Sequence, residues 1–394
     1  MGSLKKRVGI IGGGTTGLQL AYALIEDFDV TIISHRTPEQ VRSGRIMSTQ
    51  VHFGPARERE KRFHMPDWKS GHMIESIHIT VGDQKLFAGR LEKQALSVDQ
   101  RLSYSTYAED LERKGVTFQQ RKIMDQDRET LVGEFDLVVD CTGKNGPIFP
   151  FPIEKELTPF QVPQRKCIVG YFKGVKPVSP CGVSVTVIPE LGEMFEIPAE
   201  AESGPVTILF ITAVPAGPLD MFRGIKTPEA FTIKMREAVE MFFPEIHSRI
   251  VDEQFALSDE NGFLQVAITP EVRRPYVIQD HQLVLGCGDS VVLNDPITGQ
   301  GCNLSSFCAE QLSDLLVEHK HDDQWGEKLG ILYWNRIKPF VKEVTEWTNA
   351  MTQPLPGHVI QMLLGGAQDQ ETADQVARWF ENPSSAHQIF LAKV

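Results

Sequence analysis

Gly12, Gly14 and Gly17 stand as G-x-G-x-x-G within RVGIIGGGTTGLQLAYALIEDFDVTIIS. This spacing can do chemistry with main chain alone. The first glycine allows a tight turn, the second lets backbone approach a pyrophosphate, and the third lets a helix pack on a strand. Thr15 and Thr16 open that helix, whose free N–H groups and positive dipole end would face the phosphates. Glycines also serve ordinary turns, so the context decides. Here an apolar strand precedes, and Leu18, Ala21, Tyr22 and Ile25 follow on one helix face. A dinucleotide is the expected ligand. The acid that usually bonds a ribose 2′-OH, about 20 residues on, is missing. Ser34, His35 and Arg36 occupy its place. Ser34 could bond a hydroxyl and Arg36 could stack on adenine or meet phosphate; a solvated loop is the plain alternative.

The second constellation is GCGDSVVLNDPITGQGCN. Asp289, at a strand end, can accept hydrogen bonds from polyol hydroxyls. Pro296, Gly299, Gln300 and Gly301 form a loop able to come close to a flat ring, and Cys302 and Asn303 begin a helix. That helix end would stabilise the negative charge a reduced flavin carries around N1 and C2=O. Alone, the stretch reads equally as a Pro-Gly loop followed by a helix cap. Paired with the N-terminal turn it points to flavin, and the dinucleotide turn makes that FAD, not FMN.

These motifs need elements to hold them. KRVGIIG reads as a strand buried on both faces, DVTIIS as the next parallel-type strand, and VTFQQRK and FDLVVDCTG as further strands; YSTYAEDLERKG reads as a helix stopped by Gly115. From about Pro147, prolines punctuate short β runs such as KCIVGYFKGV, CGVSVTVIP and PVTILFITAVP. These are expected to form an antiparallel sheet inserted as a second domain. QLVLGCGDS returns to the first type, and the long C-terminal helix is expected to break or bend at Pro339. The expected class is α/β: a Rossmann-like, glutathione-reductase-type FAD-binding domain with an inserted antiparallel β-sheet substrate domain and C-terminal helices. The FAD-binding domain is assigned to 1–50, 85–150 and 280–320, the substrate domain to 51–84 and 151–279, and the helical segment to 321–394.

Composition narrows the partners. A chain of 394 residues supports a full hydrophobic core. A formal charge of −12 argues against nucleic acid, which is bound through basic patches. No apolar run reaches about 18 residues, so no membrane span is expected. MGSLKKRVGI runs directly into a strand, and no signal peptide is expected. The cysteines, Cys141, Cys167, Cys181, Cys287, Cys302 and Cys308, make no CxxC pair and read as packing residues in a reducing cytosol. A cytoplasmic location follows as the expectation. His64, His72 and His78 have no metal-site spacing, and no metal is expected.

In combination, G-x-G-x-x-G, SVDQRLSYSTYAEDLERKGV, FDLVVDCTGKNG and GCGDSVVLNDPITGQGCN resemble the FAD-dependent aromatic hydroxylase superfamily. Over nearly the whole chain, including QRKCIVGYFKGVK, the sequence is similar to the oxygenase component of two-component styrene and indole monooxygenases. By that resemblance Arg101 would lie along the FAD; the alternative is a surface arginine capping its helix. Arg45, in SGRIMSTQVHFG, matches the family's flavin-facing arginine. Ser48, Gln50 and Ala95 match positions where indole-type enzymes carry Ser, Gln and Ala, and styrene-type enzymes Asn, Val and Ser. His52 looks more like the styrene pattern, so the signature is mixed. Physically, Gln50 or Ser48 could accept an indole N–H that an apolar pocket would leave unpaired; the alternative is that both bond local backbone. On the first reading, Gln50→Val lowers indole turnover relative to styrene.

Single-component relatives carry Asp-Gly where this chain has Cys141-Thr142-Gly143-Lys144, and no second G-x-G-x-x-G is present. The resemblance implies reduced FAD supplied by a separate NADH-dependent flavin reductase. With O₂ it would form a C4a-hydroperoxyflavin that epoxidises indole, giving indoxyl and indigo, or a styrene-like aryl alkene. The flavin does this chemistry, so no catalytic side chain is assigned. Two other readings stay open. A single-component NAD(P)H-dependent hydroxylase of phenolic acids would need a basic clamp that VSVTVIP to TILFITAV lacks. A non-catalytic FAD-fold binding protein is the other. The sequence leaves a homodimer open.

Overall fold

The computed structural model describes residues 5–68 and 73–392. Its first sheet runs Tyr276–Gln279, Gln282–Gly286, Leu137–Asp140, Arg7–Ile11, Asp29–Ser34, Thr117–Gln120. Every neighbouring pair is parallel except the Tyr276–Gln279/Gln282–Gly286 hairpin. Val8, Ile10, Ile32, Val139 and Leu285 are fully buried in it. Strands covered on both faces read as continuous apolar runs, which is why these segments were recognisable. The Thr15–Leu24 helix leaves the first strand and lies against the Gly301–Glu318 helix, where Gln19 Nε2 donates to Ser306 Oγ at 3.0 Å.

The second sheet runs Ala256–Leu257, Lys166–Lys173, Gly204–Ala213, Gly192–Ala201, Gly182–Ile188, Ile74–Val81, Gln84–Ala95, with Phe263–Ala267 also paired to Lys166–Lys173. Alternation at period two divides its faces. Cys167, Val169, Phe195 and Ile208 join a cluster with Val51, Phe53, Ile297 and Trp347. Ile168, Phe172, Leu209 and Ile211 turn the other way, onto the Pro228–Phe242 helix.

Four expectations change. The boundary expected at residue 85 falls inside Gln84–Ala95, a strand that pairs with Ile74–Val81 and edges the second sheet. Tyr276–Gln279, expected in the second sheet, forms a hairpin in the first. The inserted sheet is mixed, since Ile74–Val81 and Gly182–Ile188 are parallel. Of the break or bend expected at Pro339 the break does not occur: Glu327–Met351 runs through it as one helix. Its Ile337, Val341 and Val344 are buried in the first core and Trp347 in the second. Burial at both ends holds the helix across the missing N–H of the proline.

Candidate cofactor and substrate site

Both glycine motifs meet at one place. Gly12 has φ +115°, and a Cβ there would lie 2.3 Å from the Cys141 carbonyl oxygen. A Cβ on Gly17 would lie 2.0 Å from the Gly12 oxygen, so only glycine lets the helix seat on the strand. The helix N-terminus at Gly14 has no side-chain cap. Thr15 Oγ1 bonds Tyr104 Oη and donates to Gln50 Oε1 at 3.0 Å. Thr16 is buried against Gly288, where φ is +74° and a Cβ would come within 2.1 Å of Thr16 Oγ1. That contact brings Asp289, the next residue, to the mouth of the turn.

Asp289 is half-buried, and Ser305 Oγ approaches its Oδ1 at 3.5 Å. Burial pushes its carboxyl up to about 6, with Lys144 and Ser305 pulling the other way. Burial lowers the pKa of Lys144, against the pull of Asp289, and its Nζ donates to Met47 O at 2.7 Å. Lys144 was legible only as the residue standing where relatives carry Asp-Gly.

Asp295 Oδ1 accepts from Ile297 N at 3.0 Å and caps the Pro296–Thr298 turn, which ends on Gly299 at φ +64°. The Gly301–Glu318 helix starts at Gln300 with no side-chain cap. Gln300 Nε2 instead donates to Phe380 O at 3.0 Å. Cys302 Sγ and Asn303 Nδ2 both donate to Val51 O, at 3.2 and 3.0 Å, and Asn303 Oδ1 accepts from Phe53 N at 3.1 Å. Two uncapped helix starts, two glycine turns and a carboxylate between them are the donors and acceptors a flavin dinucleotide requires. The residues present fit FAD.

The other expected site residues divide. Ser34 Oγ is engaged with the backbone of Arg36, accepting from its N–H at 3.2 Å and donating to its carbonyl at 3.0 Å, and Arg36 Nε donates to His35 Nε2 at 2.9 Å. Burial, then Arg36, lowers the His35 pKa. Arg45 is exposed, its guanidinium carbon 5.1 Å from the Phe263 ring centroid. Ser48 is exposed too, and its Oγ reaches only Thr49 O at 3.3 Å.

Gln50 is buried, but its Oε1 already accepts from Thr15 Oγ1 and Gln100 Nε2, both at 3.0 Å, and from Tyr104 Oη at 3.4 Å. The expected acceptor for an indole N–H is therefore committed to the glycine turn. The extended 50–53 segment alternates: Gln50 and His52 meet polar partners, while Val51 and Phe53 enter the apolar cluster. His52 Nδ1 contacts Glu60, and its backbone pairs with Leu96 at 2.8 and 3.1 Å, beside buried Ala95.

Arg101 is held by protein groups. Its Nε donates to Asp99, Nη1 to Gly44 O and Asp259 Oδ1, and Nη2 to Asp99 Oδ2 and Asp259 Oδ2. A guanidinium has five N–H groups, and carboxylates and a carbonyl take them. It is buried and is not the surface cap of the alternative reading. It fastens the start of Gln100–Arg113, which Asp99 caps, to the loop at Asp259, beside a groove of about 480 Å³. Burial alone would lower its pKa; the two carboxylates reverse that and raise it. Among the described residues no three His, Cys, Asp or Glu gather to hold a metal; His72 lies outside them.

A parallel sheet carrying both flavin-dinucleotide turns, under a second sheet with an apolar face, defines an FAD-dependent oxidoreductase fold. The chain is similar in that fold to the flavin-dependent brominase Bmp2 (14% identity, TM-score 0.68, 98% of this chain and 94% of that one). It is similar also to 2-methyl-3-hydroxypyridine-5-carboxylic acid oxygenase (16%, TM-score 0.66, 95% and 97%). Residues 143–249 match the family described as "Styrene monooxygenase A putative substrate binding domain". Styrene monooxygenase StyA of Pseudomonas fluorescens and that of a Pseudomonas species are each 30% identical, over 96% of this chain and 94% of theirs. The chain belongs to the styrene monooxygenase family of FAD-dependent monooxygenases.

Proposed function

We propose that this protein is the oxygenase of a two-component system, taking reduced FAD from a separate NADH-dependent flavin reductase and epoxidising indole or styrene-like aryl alkenes with O₂. The observation that carries this reading is the intact ring-side loop set against an apolar wall. Ile297 of the loop packs in one cluster with Val51, Phe53, Trp347 and the sheet residues Cys167 and Phe195. Bound reduced FAD supplies the oxygen-transfer chemistry. The chain's part is to hold and shelter it. The uncapped N-terminus after Gly14 would hold the pyrophosphate, that after Gln300 would stabilise the anionic ring, and Asp289 would accept from the polyol hydroxyls. The apolar wall orients a flat arene and excludes water.

An external hydride source agrees with two features. No acid stands at the ribose position, and Ser34 is engaged with its own loop. A carboxylate-bearing phenol, as in the single-component reading, has little to grip. Arg165, at the end of the sheet face, is buried and paired with Glu193 at 3.0 and 3.1 Å.

The test supplies the protein with FAD, O₂, NADH and styrene or indole, with and without an unrelated flavin reductase. Styrene oxide or blue pigment is expected only with the reductase. NADH consumption by the protein alone, or no product with the reductase, overturns the proposal.

A further inference from the structure

The residues just before the ring-side turn are buried without partners. Asn294 is 8% exposed, and neither its Nδ2 nor its Oδ1 has a hydrogen-bond partner; Asp295 is 2% exposed, and its Oδ2 has none. Buried polar side chains are almost always paired, because leaving one unpaired costs the full loss of its hydration. Three such atoms on consecutive residues mark a place built for something else to bind. Asp295 Oδ1 is taken by the Ile297 N–H, which fixes the carboxylate and leaves the second oxygen free.

Their position says what kind of ligand. Two residues on from Asp295, Ile297 enters the apolar cluster of Val51, Phe53 and Trp347. Asp295 is also close enough to Cys167, Arg165 and Glu193, at the end of the sheet face, to interact with them electrostatically. The 3.0 Å bond from Ile297 N to Asp295 Oδ1 ties the partnerless atoms to the residue by which the ring-side turn joins the wall assigned above to the arene. Arg165 and Glu193 satisfy each other, and Gln50 is spent on the glycine turn.

We propose that Asn294 Oδ1 and Asp295 Oδ2 form an acceptor site for a ring N–H, and that this site, not Gln50, gives the pocket its preference for indole-type heteroarenes over carbocyclic ones. The inference rests on the aryl-alkene reading above. A flat arene against the apolar wall gains from burial whatever its heteroatom. An N–H buried there without an acceptor would be penalised, and the Asn294–Asp295 pair removes that penalty by presenting it with an unpaired oxygen.

The experiment measures dissociation constants of indole and indene, which has a CH₂ in place of the N–H, by equilibrium dialysis on the full chain saturated with FAD. Asn294→Leu, close in shape, is expected to raise the indole-to-indene ratio of dissociation constants about tenfold, the worth of roughly one hydrogen bond. Asn294→Asp, which keeps an acceptor, is expected to leave the ratio within about twofold. A ratio unchanged in Asn294→Leu overturns the site, and so does weakened FAD binding with an unchanged ratio, since the flavin would then be the missing partner. Should Asn294→Leu not fold, the wild type decides through its ligands. Benzofuran, with the same shape and no N–H, is expected to bind at least about fivefold more weakly than indole, and equal binding overturns the site. Styrene oxidation that persists without heteroarene preference removes this inference only; loss of all reductase-coupled oxidation removes the function beneath it.

Discussion

Gln50 and Asp295 are both buried polar groups near the cofactor loops, yet they stand in opposite conditions. The Gln50 oxygen is shared by Thr15, Gln100 and Tyr104. Removing it in Gln50→Val leaves Gln100 Nε2 and one of the mutually bonded Thr15 and Tyr104 hydroxyls without an acceptor beside the dinucleotide turn. FAD affinity, read by fluorescence titration, is expected to fall about tenfold, with the indole-to-styrene ratio unmoved; a changed ratio would restore Gln50 to substrate recognition. Asp295 is under-satisfied instead, and burial pushes its carboxyl up to about 6. In the unfolded chain an aspartate titrates near 4, so between about pH 4 and 6 the folded state holds the extra proton. The stability this gives is lost as pH rises through that window. Asp295→Asn keeps the cap on Ile297 and carries no charge to bury. It is expected to melt above the wild type at pH 8, with the gap closing toward pH 5; a gap independent of pH would refute the assignment. The residue types were legible at these positions, but the direction of each side chain was not. In an irregular extended segment, one step of alternation decides whether a side chain meets polar partners or enters the apolar cluster.

At the scale of elements, glycine demands were the most readable signal. A strand, a turn at φ +115° and a helix seated tightly on the strand leave little freedom at Gly12 and Gly17, while Gly14 is extended with room around it at the uncapped helix start, open to a ligand. Gln84–Ala95 was harder to place. As an edge strand its burial pattern is irregular, and QKLFAGRLEKQA has no clean alternation to mark which sheet it joins. The Arg101 contact was also hidden, because its partner Asp259 lies 158 residues away. Arg101→Ala leaves Asp99 buried without its cation. Removing one member of a buried pair is costly, and a loss of roughly 3 kcal/mol in denaturant titration is expected. Asp259→Asn is expected to cost less, since the Asp259 side chain is 41% exposed and water screens it. Equal losses in the two variants would mean that Arg101 is held mainly by the loop.

For the whole molecule, the alternation of apolar strands and helices announced a layered α/β fold, and the proline-punctuated middle announced a second sheet. What stayed illegible is how the two are joined. Arg59 and Arg62 of the Gly54–Arg62 helix reach Glu310 at 2.8 and 2.7 Å, and Arg62 reaches Asp314 at 2.6 Å. A stretch assigned to the substrate domain is thereby bolted to the cofactor-loop helix. Glu327–Met351 spans both cores as a single rod. Sequence periodicity reports which face of a helix is buried, not that its two ends are buried in different places.

The shared carbonyl of Val51 has a kinetic corollary. Cys302 and Asn303 hold it from the first turn of the ring-side helix, while the Val51 and Phe53 side chains form part of the apolar wall. Any adjustment of that turn on flavin binding would reach the wall within one residue. Were the turn to settle only around the flavin, the wall would settle with it, and an ordered uptake, carrier before arene, would be the expected kinetic signature.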